Sequence, residues 1–227
     1  MAQPWKIIES VATDEGTLEL RQRGERDFLI TLGNLVLMNS LAHRSEVALG
    51  QLACRHLEHR ARPRVLVGGL GMGFTLRAVL ESLPDSAEVV VAELNPVVLE
   101  WCRGPLSDLT SGAALDPRVR VEIGDVADLI RRSTEAGPDG AFDAVVFDLY
   151  KGPHYHTDKR EDPLYGSRAI ENTRSVLKPG GVFAVWGENY DAGFDKRLRA
   201  AGFSVSSERP GRGGLRHVVF VARMPNR

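Results

Sequence analysis

Residues 64–73 read Arg64-Val65-Leu66-Val67-Gly68-Gly69-Leu70-Gly71-Met72-Gly73, an apolar run that breaks into glycines and opens an amphipathic segment through Leu76, Val79 and Leu80. An aliphatic run without polar alternation needs cover on both faces, which is the pattern of a parallel strand between helices. The same texture recurs downstream. Glu88 to Ala92, Val119 to Ile123, Ala144 to Phe147 and Val182 to Val185 are strand-like runs separated by helical patterns, one of them opened by Pro96 in its first turn. This alternation predicts an α/β fold with right-handed crossovers. The final stretch, Phe203 to Arg223, has two strand patterns around a glycine-rich loop and predicts an antiparallel hairpin at one sheet edge.

Upstream of residue 64 the pattern is different. Lys6 to Val11, Thr17 to Arg21 and Asp27 to Met38 are strand-like, the last interrupted by a turn at Gly33-Asn34. They predict a small antiparallel β unit over residues 1–44, followed by the α/β domain over residues 45–227. A helix joins the two, with Ser45 as its expected N-cap and Val47, Leu49, Leu52, Ala53 and Leu57 on one face.

The chain is long enough for one large core with a small appendage. A formal charge of −1 argues against broad binding to nucleic acid or to a membrane surface. No apolar run approaches 18 residues, and the first residues lack a basic stretch followed by an apolar one, so the expectation is a cytoplasmic protein. Cys54 and Cys102 lie far apart and outside any C-x-x-C spacing, which suits reduced, buried thiols. His154-x-His156 lacks a third ligand, and no metal is expected.

In open α/β sheets a ligand sits beyond the carboxyl ends of the strands, so the residues there are the candidates for chemistry. Gly69, Gly71 and Gly73 let the backbone turn tightly and approach a ligand. A dinucleotide fingerprint needs a glycine where Phe74 stands, which disfavours pyrophosphate. Glu93 ends the second strand, where a carboxylate accepts from ribose hydroxyls. Asp125, after the third strand, suits an adenine amino group, with Val126 beside it for a ring nitrogen. It equally suits the N-cap of the helix that follows. Asp148 ends the fourth strand at the sheet centre, where a carboxylate can face a sulfonium or hold an attacking amine as its free base. Tyr150 is placed to line the pocket or orient the acceptor. The polar segment 151–166 suits either an acceptor-binding lid or a mobile, solvated loop, and Arg212 lies in what reads first as a plain hairpin turn, with contact to an anionic acceptor as the alternative.

The series glycine loop, Glu93, Gly124-Asp125, Phe142-Asp143 to Asp148, Leu177-Lys178-Pro179-Gly180-Gly181 and Ala201-Gly202-Phe203 resembles the class I S-adenosylmethionine-dependent methyltransferases. The resemblance covers about residues 64 to 222 and implies a Rossmann-like, mostly parallel seven-stranded sheet with an antiparallel C-terminal hairpin, preceded by the small β unit. Leu177 to Gly181 looks like that fold's turn before its fifth strand. The N-terminal layout, with Leu37-Met38-Asn39-Ser40 and Ser45-Glu46, is similar to the spermidine synthase-like family within that fold.

The resemblance implies S-adenosylmethionine or its decarboxylated form as the nucleotide, a small-molecule acceptor such as an amine or another small metabolite, and a homodimer. Asp148 matches the first acid of that family's motif, and Asp148 with Tyr150 are the residues expected at the reacting centre. The family's aminopropyltransferases carry D-S-[ST]-D-P after the fourth strand, whereas this chain has Asp148-Leu149-Tyr150-Lys151-Gly152-Pro153, with Lys151 at the second acid. The family's histidine beside the N-terminal glutamate is replaced by Ser45. Methyl transfer to a small acceptor is therefore the first expectation, polyamine aminopropyl transfer the alternative, and a non-catalytic nucleotide-binding partner protein a third reading.

Overall fold

The computed structural model describes residues 3–210 and 217–226. Arg212 lies outside the described residues. The chain opens with four antiparallel strands in sequential order, β1 (Lys6–Thr13), β2 (Gly16–Arg23), β3 (Asp27–Leu32) and β4 (Leu35–Asn39). Helix α1 (Arg44–Cys54) leads into the main sheet.

That sheet alternates β5 (Arg64–Gly68), α2 (Phe74–Glu81), β6 (Glu88–Glu93), α3 (Pro96–Arg103), β7 (Val119–Ile123), α4 (Val126–Glu135), β8 (Phe142–Phe147), α5 (Ser167–Ser175) and β9 (Leu177–Gly187). It closes with α6 (Ala192–Ala200), β10 (Ser204–Glu208) and β11 (Val218–Arg223). The strand order is β10-β11-β9-β8-β5-β6-β7, with β5 to β9 parallel and β11 antiparallel to both neighbours. This is the expected α/β architecture, a mostly parallel seven-stranded sheet of the Rossmann-like class I methyltransferase type behind an N-terminal β unit.

The apolar strand runs are buried on both faces. Val65 and Val67 of β5 join the core beneath α1 to α3, while Leu66 joins the core beneath α4 to α6. Leu18, Leu20, Phe28 and Ile30 of the N-terminal sheet enter the first of these cores together with Leu49 and Val91. The small β unit thus packs into the main hydrophobic core. From β5 the chain runs outward to β6 and β7, then crosses back to β8 on the other side of β5. The crevice that opens between β5 and β8 is where such sheets bind ligands.

Two local expectations are corrected. The N-cap of α1 is His43, and Ser45 sits inside the first turn, where its hydroxyl is turned to other partners. Leu177 to Gly181 forms the start of β9 itself. Leu177 pairs with Phe142, the register then shifts, and pairing resumes between Ala144 and Val182. The shift is held from outside the pair, because the Gly180 N–H donates to the Pro225 carbonyl and the Met224 N–H to the Gly181 carbonyl.

Candidate active site

Beyond the carboxyl ends of β5, β6 and β8 lies a cavity of about 380 Å³, within the range of small-molecule sites. Gly69 has φ +88, and a Cβ there would stand 2.3 Å from the Asp148 carbonyl oxygen. Only glycine lets the β5 loop pass this close to the end of β8. Gly71 packs on Met38 of β4, whose Sδ accepts the Met72 N–H at 3.1 Å. Gly73 stands outside the cavity lining, as the left-handed N-cap of α2.

Glu93 is buried at the tip of β6. Its Oε2 accepts the Leu70 N–H at 2.9 Å, and its Oε1 accepts the Asn95 N–H at 2.9 Å. These two bonds fix the carboxylate between the glycine loop and the start of α3. Burial pushes its pKa up, and the backbone donors pull against that shift. Asp125 is the N-cap of α4, accepting the Ala127 N–H at 2.8 Å through Oδ1, and it lines the cavity as well. The two sequence readings of Asp125 are therefore compatible in one residue. Val126 lines the cavity next to it.

The other end of the cavity is built around Asp148. Its backbone N–H donates to the Gly68 carbonyl at 2.9 Å, which continues the β5–β8 pairing by one step. The Thr75 hydroxyl of α2 donates to Asp148 Oδ2 at 2.6 Å and lies 3.1 Å from the Glu46 carbonyl oxygen. Close crossing of α1 and α2 makes this possible, since a Cβ at Gly50 would meet the Thr75 carbonyl at 2.8 Å. Burial first, and then the Glu46 carboxylate, push Asp148 up to about 7, with the Thr75 bond opposing them.

Tyr150 lies at the mouth and donates its hydroxyl to Glu15 Oε1 at 3.0 Å, from the turn between β1 and β2. The Lys151 ammonium sits 4.8 Å from the centre of the Tyr150 ring. Tyr165, fully buried, donates to the Lys151 carbonyl at 2.7 Å and pins the segment that follows β8. Within residues 151–166, Lys151 and Leu164 line the cavity. His154 does not reach it, and its Nδ1 accepts the His156 N–H. Both cysteines are buried and unpaired, and burial pushes each thiol up to about 12.

Of the sequence-predicted site residues, Gly69, Gly71, Glu93, Asp125, Val126, Asp148 and Tyr150 thus line one cavity. Sequence reasoning gave no role to Glu15, Glu46 or Thr75. Glu46 was visible only as part of a worn helix-start pattern, and a turn carboxylate such as Glu15 carries no local signal at all. Among the described residues, five carboxylates line the cavity, from Glu15, Glu46, Glu93, Asp125 and Asp148, against one cationic side chain, Lys151.

A Rossmann-like sheet with an acidic crevice at its switch point is an architecture shared by many proteins that bind ligands beyond their strand ends. Comparison with known proteins narrows the class. The model of the spermine/spermidine synthase domain matches residues 52–192, more than half of the chain, and the protein belongs to that family. The polyamine aminopropyltransferase of Mycobacterium tuberculosis (strain ATCC 25618 / H37Rv) is 33% identical over 148 residues, which cover 63% of this chain and 27% of that relative. Spermine synthase of Arabidopsis thaliana is 32% identical over 126 residues, covering 55% of this chain and 32% of the relative. The chain therefore spans about a third or less of these relatives. Among solved structures, spermidine synthase from Thermotoga maritima superposes with a TM-score of 0.74 at 21% identity, covering 96% of this chain and 72% of that one. Human methyltransferase-like protein 13 in complex with SAH gives a TM-score of 0.56 at 20% identity, over 82% of this chain and 81% of the other. These two share the fold. The names of these relatives, polyamine aminopropyltransferase and spermine synthase, are those of the alternative expectation and not of the first.

Proposed function

We propose that this protein transfers the aminopropyl group of decarboxylated S-adenosylmethionine to a small amine, with a diamine such as putrescine as the model acceptor. Family membership supports the reading. The observation that carries it is the charge of the cavity, where among the described residues five carboxylates face one lysine. Such a site attracts a cationic nucleotide and a cationic acceptor together.

Glu93 and Asp125 suit the nucleoside, because each holds a carboxylate at the cavity wall through backbone donors and faces the space beyond the strands. The bound nucleotide supplies an electrophilic carbon on a sulfonium, which leaves as a neutral thioether when the amine lone pair forms the new C–N bond. Asp148 provides the base. With a pKa near neutrality it is about half ionised at pH 7 and largely ionised above it, able to take the proton that the amine loses. Thr75 serves both protonation states. Its hydroxyl donates to ionised Asp148, and it can accept from protonated Asp148 while donating to the Glu46 carbonyl.

Lys151 favours a second reading. It is the one cation lining the cavity among the described residues, and it suits the carboxylate that only the undecarboxylated nucleotide carries. Calorimetric titration with S-adenosylmethionine and with its decarboxylated form separates the two. Tighter binding of the decarboxylated form, with turnover on a diamine, is the expected result. Preference for the carboxylated form turns the assignment to methyl transfer, and binding of either without turnover on any amine supports a non-catalytic partner protein.

A further inference from the structure

The acceptor end of the cavity is connected to the far end of the chain. Ser45, buried in the first turn of α1, donates its hydroxyl to Glu46 Oε2 at 2.5 Å. The same hydroxyl oxygen lies 3.1 Å from Nδ1 of His217, immediately before β11. A serine hydroxyl carries one proton, and here it is given to Glu46. The nitrogen beside it must then be the donor, which places a proton on His217 Nδ1. The imidazole is held on its other side by Trp186 of β9, edge-on with ring centroids 4.8 Å apart. Among the described residues, the groups against His217 are thus the Ser45 hydroxyl of α1, which also holds Glu46, and the Trp186 ring of β9. Ser45, Glu46 and His217 all lie outside the residues that match the family model.

We propose that His217 is a positioning residue for the acceptor site, holding the Glu46 carboxylate against Asp148 through Ser45. Glu46 has two side-chain rotors beyond its Cβ, and a carboxylate that must face Asp148 across a cavity needs a fixed donor to stay there. Ser45 is that donor, and the His217 N–H keeps the Ser45 proton from turning elsewhere. A second connection ties the same residue to Asp148, since the Glu46 carbonyl and Asp148 Oδ2 share the Thr75 hydroxyl. The side chain and the backbone of Glu46 are therefore both locked to the reacting end, and none of these bonds touches the nucleoside end at Glu93 and Asp125.

This inference rests on the aminopropyl-transfer reading for its kinetic arm only. The first measurement needs no substrate. In protein labelled with ¹⁵N-histidine, the His217 ring is expected to show a protonated Nδ1 at neutral pH, and Ser45→Ala is expected to alter that signature. An unprotonated Nδ1 in the unaltered protein overturns the proposal whatever the enzyme does. The kinetic arm compares His217→Leu, which removes the donor, with His217→Asn, which returns a donor near the Nδ1 position. His217→Leu should lower kcat tenfold or more while leaving nucleotide affinity within twofold. His217→Asn should recover most of the loss, and Ser45→Ala with His217→Leu should be no worse than either alone. Equal loss in the Leu and Asn variants, or losses that multiply, overturn the proposal. Absence of turnover in the unaltered protein counts against the aminopropyl reading instead, and the protonation state of His217 still decides the proposal by spectroscopy.

Discussion

Replacing Asp148 by Asn tests the acid–base assignment through folding stability, with no substrate required. The Asp148 carboxyl titrates at about 7 in the folded protein, against an ordinary value of 3.8. One pH unit of difference is worth about 1.4 kcal/mol. Ionising this group therefore costs about 4 kcal/mol more in the fold than in the unfolded chain. The sign follows from counting protons. Between about pH 4 and pH 7 the folded protein keeps a proton that the unfolded chain has released, so the contribution of Asp148 to stability falls as pH rises through that window. Above pH 7 both states are ionised and the deficit is constant. Asn has the shape of the protonated acid and never ionises. Asp148→Asn should exceed the unaltered protein by under about 2 kcal/mol at pH 5 and by up to about 4 kcal/mol at pH 8. Urea unfolding at the two pH values, with equal slopes, reads the difference directly. A stabilisation of the same size at both pH values, or none at pH 8, refutes the elevated carboxyl and with it the general-base role.

Three further outcomes follow from the same geometry. Glu46→Gln removes the second cause of the Asp148 elevation, so the acid limb of the kcat/KM profile should move down by ~1 pH unit, burial remaining as the larger cause; an unmoved limb excludes the coupling. Gly69→Ala puts a Cβ 2.3 Å from the Asp148 carbonyl at φ +88, and should cost at least about 1–3 kcal/mol in urea unfolding together with most of the turnover. Lys151→Asp exchanges the cation at the mouth for a carboxylate, and should lower KM for a diamine roughly threefold to tenfold at low salt; a raised KM would mean that Lys151 engages the acceptor by a contact of its own.

The fold was legible because its signals are local. The runs at Val65, Val89 and Val145 are continuous aliphatic sequence, and each became a strand buried on both faces. Glycines where the chain needs positive φ marked the loop after β5. The errors are also local in origin. Ser45 has the composition of an N-cap and precedes an apolar face, yet the chain enters α1 two residues earlier, and a hydroxyl inside a first turn has other partners within reach. The Leu-x-Pro-Gly-Gly segment has the composition of a turn, but the carbonyls and amides of Pro225 and Met224 hold it as a bulged strand. Those partners lie more than 40 residues away, beyond any window that reads composition.

The strand-end carboxylates of the proposed site were legible for a related reason, because Glu93 ends β6, Asp125 and Asp148 come within two residues after β7 and β8, and the sheet brings strand ends together. The acceptor end is assembled otherwise. Glu15 comes from a hairpin turn, Glu46 and Ser45 from α1, Thr75 from α2 and His217 from the entry to β11, and no spacing in the sequence relates them. Lys151 illustrates the consequence. Taken alone beside Asp148, it argued for a site hostile to polyamines. In the folded molecule it lies at the exposed mouth beside the Tyr150 ring, with the Glu15 carboxylate bonded to the same tyrosine. A cation so placed, with an anion as its neighbour and solvent around it, is screened from the interior. Glu46 and Asp148 are screened less, since Glu46 is buried in α1 and Asp148 is half-buried at the end of β8. On the proposed reading the field at the reacting end is therefore set by these two carboxylates, and one surface lysine does not reverse its sign.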